Sequence, residues 1–118
     1  RKEIFKKLYK FKFFTPKIIS PKAYVSNRSK ILDGTIVMHD AIINAGTIIM
    51  KNCIINSKSL VEHDCIINNN CHIAPGAIVN GHNVIGEDTF IGSGTIIKQG
   101  LKIKNGTFIN ANRFVSKT

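Results

Sequence analysis

Every sixth residue from Val25 to Val115 is a branched aliphatic. The series runs Val25, Ile31, Val37, Ile43, Ile49, Ile55, Val61, Ile67, Ile73, Val79, Ile85, Ile91, Ile97, Ile103, Ile109 and Val115. Val, Ile and Leu together account for 31 of the 118 residues. Sixteen such hits in one register arise by chance on the order of once in a billion, so the period is structural.

A second column lies two residues before each aliphatic. It reads Ala23, Ser29, Thr35, Ala41, Thr47, Cys53, Ser59, Cys65, Cys71, Ala77, Asn83, Thr89, Thr95, Leu101, Thr107 and Arg113, and is almost entirely small. The second and third positions after each aliphatic collect corner-forming residues, as in Asp33-Gly34, Lys51-Asn52, Pro75-Gly76 and Ser93-Gly94. Gly, Asn and Asp tolerate tight turns and positive φ.

Alternate residues of a strand share a face, so the large and the small column both point inward. Each hexapeptide supplies one short strand and one corner. Three hexapeptides close a coil, and coils stack as parallel strands ~4.8 Å apart. The expected fold class is therefore all-β, a parallel β-helix over residues 23–118. Residues 1–22 precede it as a short basic helix, with Ile4, Phe5, Leu8 and Phe11 on one stripe. An extended connector carrying Pro16 and Pro21 follows.

The net charge is +10, which favours anionic partners. Arginine occurs only at positions 1, 28 and 113, and the aromatics do not form a stacking platform interleaved with arginine, so nucleic acid is not the expected partner. No apolar run approaches the ~18 residues of a spanning helix. Lysines break up the only candidate signal-peptide core, so the expected setting is cytoplasmic, with no membrane partner. The sequence begins with Arg1 rather than methionine, and part of a longer chain is expected. The three cysteines fall in the small inward column, where packing accounts for them without a reactive role.

The residues just before the inward aliphatics point outward. Two of these columns are strongly apolar: Tyr24, Ile42, Leu60, Ile78, Ile96, Phe114, and Ile36, Ile54, His72, Phe90, Phe108. Continuous apolar stripes mark an interface, and a prism with such faces suits a homotrimer.

His63 occupies a corner whose neighbours one coil away, Ala45 and Gly81, are small. Asp64 follows it, and His82 lies one coil above Asp64. A carboxylate beside an imidazole fixes its tautomer and orientation, an arrangement suited to a general base. His72 interrupts an apolar column half a coil from His63. That spacing puts the two on opposite sides of the prism, so they meet at one substrate only across a subunit interface. The gaps between successive histidines are 24, 9 and 10. The gamma-class carbonic anhydrases share this kind of solenoid but bind zinc through a His-x4-His pair plus a third histidine. That spacing is absent, and no metal is expected.

The stretch Leu60–Gly94 carries Val61-Glu62-His63-Asp64 and then Cys71-His72-Ile73-Ala74-Pro75-Gly76-Ala77. It resembles the hexapeptide-repeat sugar acetyltransferases of the NeuD/PglD type. The resemblance implies a left-handed β-helix, acetyl-CoA as co-substrate, and a sugar or nucleotide-sugar acceptor. It implies His63 as general base, Asp64 as its acidic partner, and His72 near the thioester. It also implies a Gly81 amide facing the acetyl carbonyl, with Ser93 and Ala111 lining the pantetheine arm. Residues 1–22 then match the end of an N-terminal substrate-binding module. Lys98, Lys102, Lys104, Arg113 and Lys117 suit the coenzyme's phosphates. A non-catalytic scaffold or oligomerisation module is the alternative; it has no need of His63-Asp64 beside Gly81.

Overall fold

A computed structural model describes residues 1–118. Seventeen two-residue strands follow one N-terminal helix. They form three all-parallel sheets of six, six and five strands, in which each strand pairs with the third strand before and after it in the chain. The expected β-helix is the fold found, and the chain with its N-terminal helix measures 41 × 28 × 21 Å.

The register is the one the six-residue period predicts. Ile43, Ile55, Ile67, Ile73, Ile85, Ile91 and Ile97 are fully buried, stacked in a single core. Burying a side chain of this size contributes about 1.5–3 kcal/mol. The small column is buried beside them from Thr35 to Thr95, and its polar members there are paired. Thr47 Oγ1 donates to the Glu62 carbonyl at 2.6 Å and accepts from the Cys65 amide at 3.1 Å. Asn83, also buried, donates to the Asn80 and Lys98 carbonyls and accepts from the Leu101 amide. No buried side-chain nitrogen or oxygen lacks a partner.

The corners are as regular as the core. At six-residue steps from Gly34 to Asn112, the second corner residue is always in the left-handed region, with φ between 56° and 80°. Six of these fourteen residues are glycine, and most of the rest are Asn or Asp. These types bear positive φ at least cost.

The β-helix begins earlier than expected. Ile18–Ile19 pairs in register with Ile36–Val37, so the strand ladder starts within the proposed connector. Pro16 and Pro21 flank this strand without blocking it. The Ile18 and Ser20 amides both remain free to donate, to the Thr35 and Val37 carbonyls.

The helix spans Lys2–Lys10, with Glu3 in its first turn and Lys7 and Lys10 in its last, as its dipole favours. The apolar stripe is narrower than expected. Phe5 and Leu8 are half-buried, whereas Ile4 and Phe11 are exposed. The helix meets a corner rather than a broad face, and the Phe5 ring fills the space where a Gly34 side chain would stand. Lys2 pairs with Asp88 at 2.7 Å, Arg1 donates to the Gly34 carbonyl, and Lys51 donates to the Tyr9 hydroxyl. No helix is long and apolar enough to cross a membrane.

Candidate active site

The corner between the Leu60–Val61 and Ile66–Ile67 strands holds His63 and Asp64. Asp64 has φ 57°, which throws its carboxylate back toward the preceding residue. Asp64 Oδ2 lies 3.0 Å from His63 Nδ1. A carboxylate only accepts, so in the neutral ring Nδ1 carries the hydrogen and Nε2 carries the lone pair.

Glycines on the adjacent coils make room for both groups. A Cβ on Gly81, one coil above His63, would stand 2.6 Å from His63 Nε2. A Cβ on Gly46, one coil below Asp64, would collide with Asp64 Oδ1. The Gly81 carbonyl accepts from the Gly100 amide, while no hydrogen bond within the chain uses the Gly81 N–H. His63, Asp64 and Gly81 are thus together, as expected. His82 joins them: its Nε2 is 3.8 Å from Asp64 Oδ2, and its ring meets the His63 ring edge-on at 5.0 Å. All three side chains are about half exposed.

His72, Ser93 and Ala111 lie away from that corner. His72 projects outward from the sheet that also carries Ile54, Phe90 and Phe108. That sheet is the face opposite the His63 corner, so the two histidines are separated as the half-coil spacing requires. Asn56 Nδ2 donates to His72 Nε2 at 3.0 Å, leaving Nδ1–H outward. The ring meets Phe90 edge-on at 5.2 Å, and Phe90 stacks on Phe108 at 4.8 Å. Burial, together with the positive charge of Arg1, lowers the His72 pKa and favours the neutral ring. Ser93 and Ala111 lie one coil apart at the next corner. Gly92 lets those coils stack tightly, since a Cβ there would sit 2.5 Å from the Ala111 nitrogen. The five basic residues proposed for phosphates are spread around the C-terminal end rather than gathered on one side.

Gly46, Gly92 and Asn56 escaped the sequence reading. The glycines were open to discovery by stepping back one coil from Asp64 and from Asn110. Asn56 reaches His72 from a diagonal position that no single column contains.

The cysteine thiols donate to carbonyls of the next coil, Cys65 to Asn80 at 3.1 Å and Cys71 to Gly86 at 3.0 Å. Burial pushes the Cys65 thiol up to about 11. The neighbouring Cys53 thiol, together with burial, pushes the Cys71 thiol higher still. Neither is a nucleophile at neutral pH.

Residues 46–81 match the family described as bacterial transferase hexapeptide (six repeats). No curated protein sequence matches the chain. Among solved structures, the acetyltransferase domain of PglB from Neisseria gonorrhoeae FA1090 is 32% identical, with a TM-score of 0.97 over 98% of this chain. The same domain in complex with acetyl coenzyme A is 30% identical, with a TM-score of 0.92. It covers 97% of this chain and 58% of its own. Perosamine N-acetyltransferase from Caulobacter crescentus, a histidine-to-asparagine variant with CoA and GDP-perosamine, is 29% identical. Its TM-score is 0.96, covering 98% of this chain and 55% of its own. The chain spans 57% of the length of the PglB domain.

Proposed function

We propose that this chain, a bacterial-transferase hexapeptide-repeat protein with a left-handed β-helix, transfers acetyl groups from acetyl-CoA to a nucleotide-sugar. The acceptor is an amino or hydroxyl group of that sugar. The observation that carries the reading is the His63–Asp64 pair, whose Nε2 faces Gly81 at an open corner. The ligands in complex with the two similar enzymes, acetyl coenzyme A in one and CoA with GDP-perosamine in the other, support the substrate class.

The acceptor nitrogen or oxygen attacks the thioester carbonyl carbon while His63 Nε2 takes the acceptor's proton. Asp64 holds the ring through Nδ1 and balances the imidazolium that forms. The carbonyl oxygen becomes an oxyanion, and the free Gly81 N–H is a donor beside it. The intermediate collapses with cleavage of the C–S bond. The imidazolium returns its proton to the departing coenzyme thiolate, and His63 is neutral again. No cysteine takes part.

The coenzyme lies against His72, Ser93 and Ala111. These face away from His63 within one chain, so the working unit is a homotrimer in which neighbours each give one side of the site. The outward apolar columns, with Phe108 68% and Phe114 67% exposed in the single chain, form the contact between subunits. Residues 1–22 connect this unit to the acceptor-binding module.

The test is His63→Ala assayed with acetyl-CoA and nucleotide-amino-sugars. The expected result is a loss of ~10²–10⁴-fold in kcat with an unchanged melting temperature. Full activity would remove His63 from the chemistry.

A further inference from the structure

We propose that His63, Asp64 and His82 bind a zinc-type divalent cation, and that its binding switches off the His63 base. The inhibitory half rests on the acetyl-transfer reading above; the binding half does not.

One ligand atom from each of the three residues lies within 4.8 Å of the others. His63 Nδ1 is 3.0 Å and His82 Nε2 is 3.8 Å from the same carboxylate oxygen. Ligands on a tetrahedral zinc with ~2.1 Å bonds stand about 3.4 Å apart, between these two separations. Two imidazole nitrogens and one carboxylate form a donor set for zinc rather than for magnesium, which prefers oxygen and retains its water. The corner is open above the histidines: a Cβ on Gly100, one coil beyond His82, would touch nothing within 4 Å. A fourth, water ligand therefore has room.

All three ligands come from one chain, and stacking assembles them. Asp64 and His82 occupy equivalent corner positions on successive coils, both in the left-handed region, so their side chains leave the prism side by side. Histidine spacing along the chain gives no metal signature because the pair spans one coil plus one residue.

Coordination through Nδ1 has a definite chemical consequence. The bond from Nδ1 to the metal replaces the bond from Nδ1 to hydrogen, and that hydrogen moves through water to Nε2. The lone pair that would accept the acceptor's proton is then gone. The same carboxylate that orients the base thus recruits its inhibitor. This is a site for an inhibitory ion, not for a resident cofactor.

The test titrates zinc chloride calorimetrically into EDTA-stripped wild-type, His82→Asn and Asp64→Asn chains. Asparagine suits the positive φ at both positions, so the corner is preserved. The expected result is one zinc per wild-type chain and a loss of more than about tenfold in affinity in each variant, since even outer-shell changes cost ~10–100-fold. Magnesium chloride should not bind. In the acetyl-transfer assay, zinc should inhibit the wild type, EDTA should reverse it, and His82→Asn should resist zinc when its rate is compared with its own zinc-free rate. No zinc binding by the wild type, or equal affinity in His82→Asn, overturns the site. Equal inhibition of wild type and His82→Asn overturns the switch. If no acetyl transfer is seen even without zinc, the function reading fails, and the calorimetry still decides the site.

Discussion

The His63 imidazole occupies the space a side chain on Gly81 would take: a methyl carbon there would stand 2.6 Å from Nε2 and 2.7 Å from Cε1. Gly81 has no positive φ, so its role is to leave room, not to bend the backbone. Gly81→Ala should therefore displace the His63 ring, which stands at a half-exposed corner with room to shift outward, and leave the fold intact. The expected result is a loss of ~10-fold or more in kcat with less than about 1 kcal/mol change in stability, read by steady-state kinetics and denaturant melts. Unchanged kcat would dissociate the ring's position from the chemistry.

Asp64→Asn separates orientation from proton transfer. Asparagine accepts the left-handed backbone of this corner and keeps an oxygen near His63 Nδ1, but it cannot balance an imidazolium. It should lower kcat less than His63→Ala does, because the accepting nitrogen remains. If Asp64→Asn proves the more damaging of the two, the assigned roles are reversed.

Shared sites predict rescue by mixing. His63→Ala and His72→Ala trimers should each be inactive. After subunit exchange at equal amounts, roughly a quarter of interfaces carry both intact histidines, and activity should return to about that fraction of wild type. A monomeric mass in solution, or no recovery after exchange is verified by mass spectrometry, refutes the shared site.

Alkaline stability follows from the buried thiols. The folded Cys65 thiol titrates at about 11, above its ordinary value of 9.0, so the folded state holds the proton to higher pH than the unfolded chain does. The stability this represents is complete below about pH 9 and is lost as pH rises toward about 11. Cys65→Ala, which places a residue already common in the same column, should flatten that decline in denaturant melts between about pH 8 and pH 10.5. An identical decline in both chains would rule out Cys65 as its source.

Much of the candidate site was legible before the structure. The three-hexapeptide coil placed Gly81 over His63 and His82 over Asp64, and the half-coil gap put His72 on the far face. The helix stripe was misread at Ile4 and Phe11 because amphipathic spacing does not reveal the shape of the surface the helix meets.

The sequence by itself determined which residues point inward, where each corner falls and which residues stack. A fixed six-residue step leaves a prism-shaped core one way to close, and all sixteen aliphatics from Val25 to Val115 pack into it. Only the tertiary structure decided how side chains from adjacent coils meet. The tilt of His63 over Gly81, the approach of His82 to Asp64, the Asn56 hydrogen bond to His72 and the Lys2–Asp88 pair depend on rotamers and on contacts between coils. A column of residue types fixes which backbone lies above which, but the direction a side chain takes is set by the free space and hydrogen-bond partners its neighbours leave.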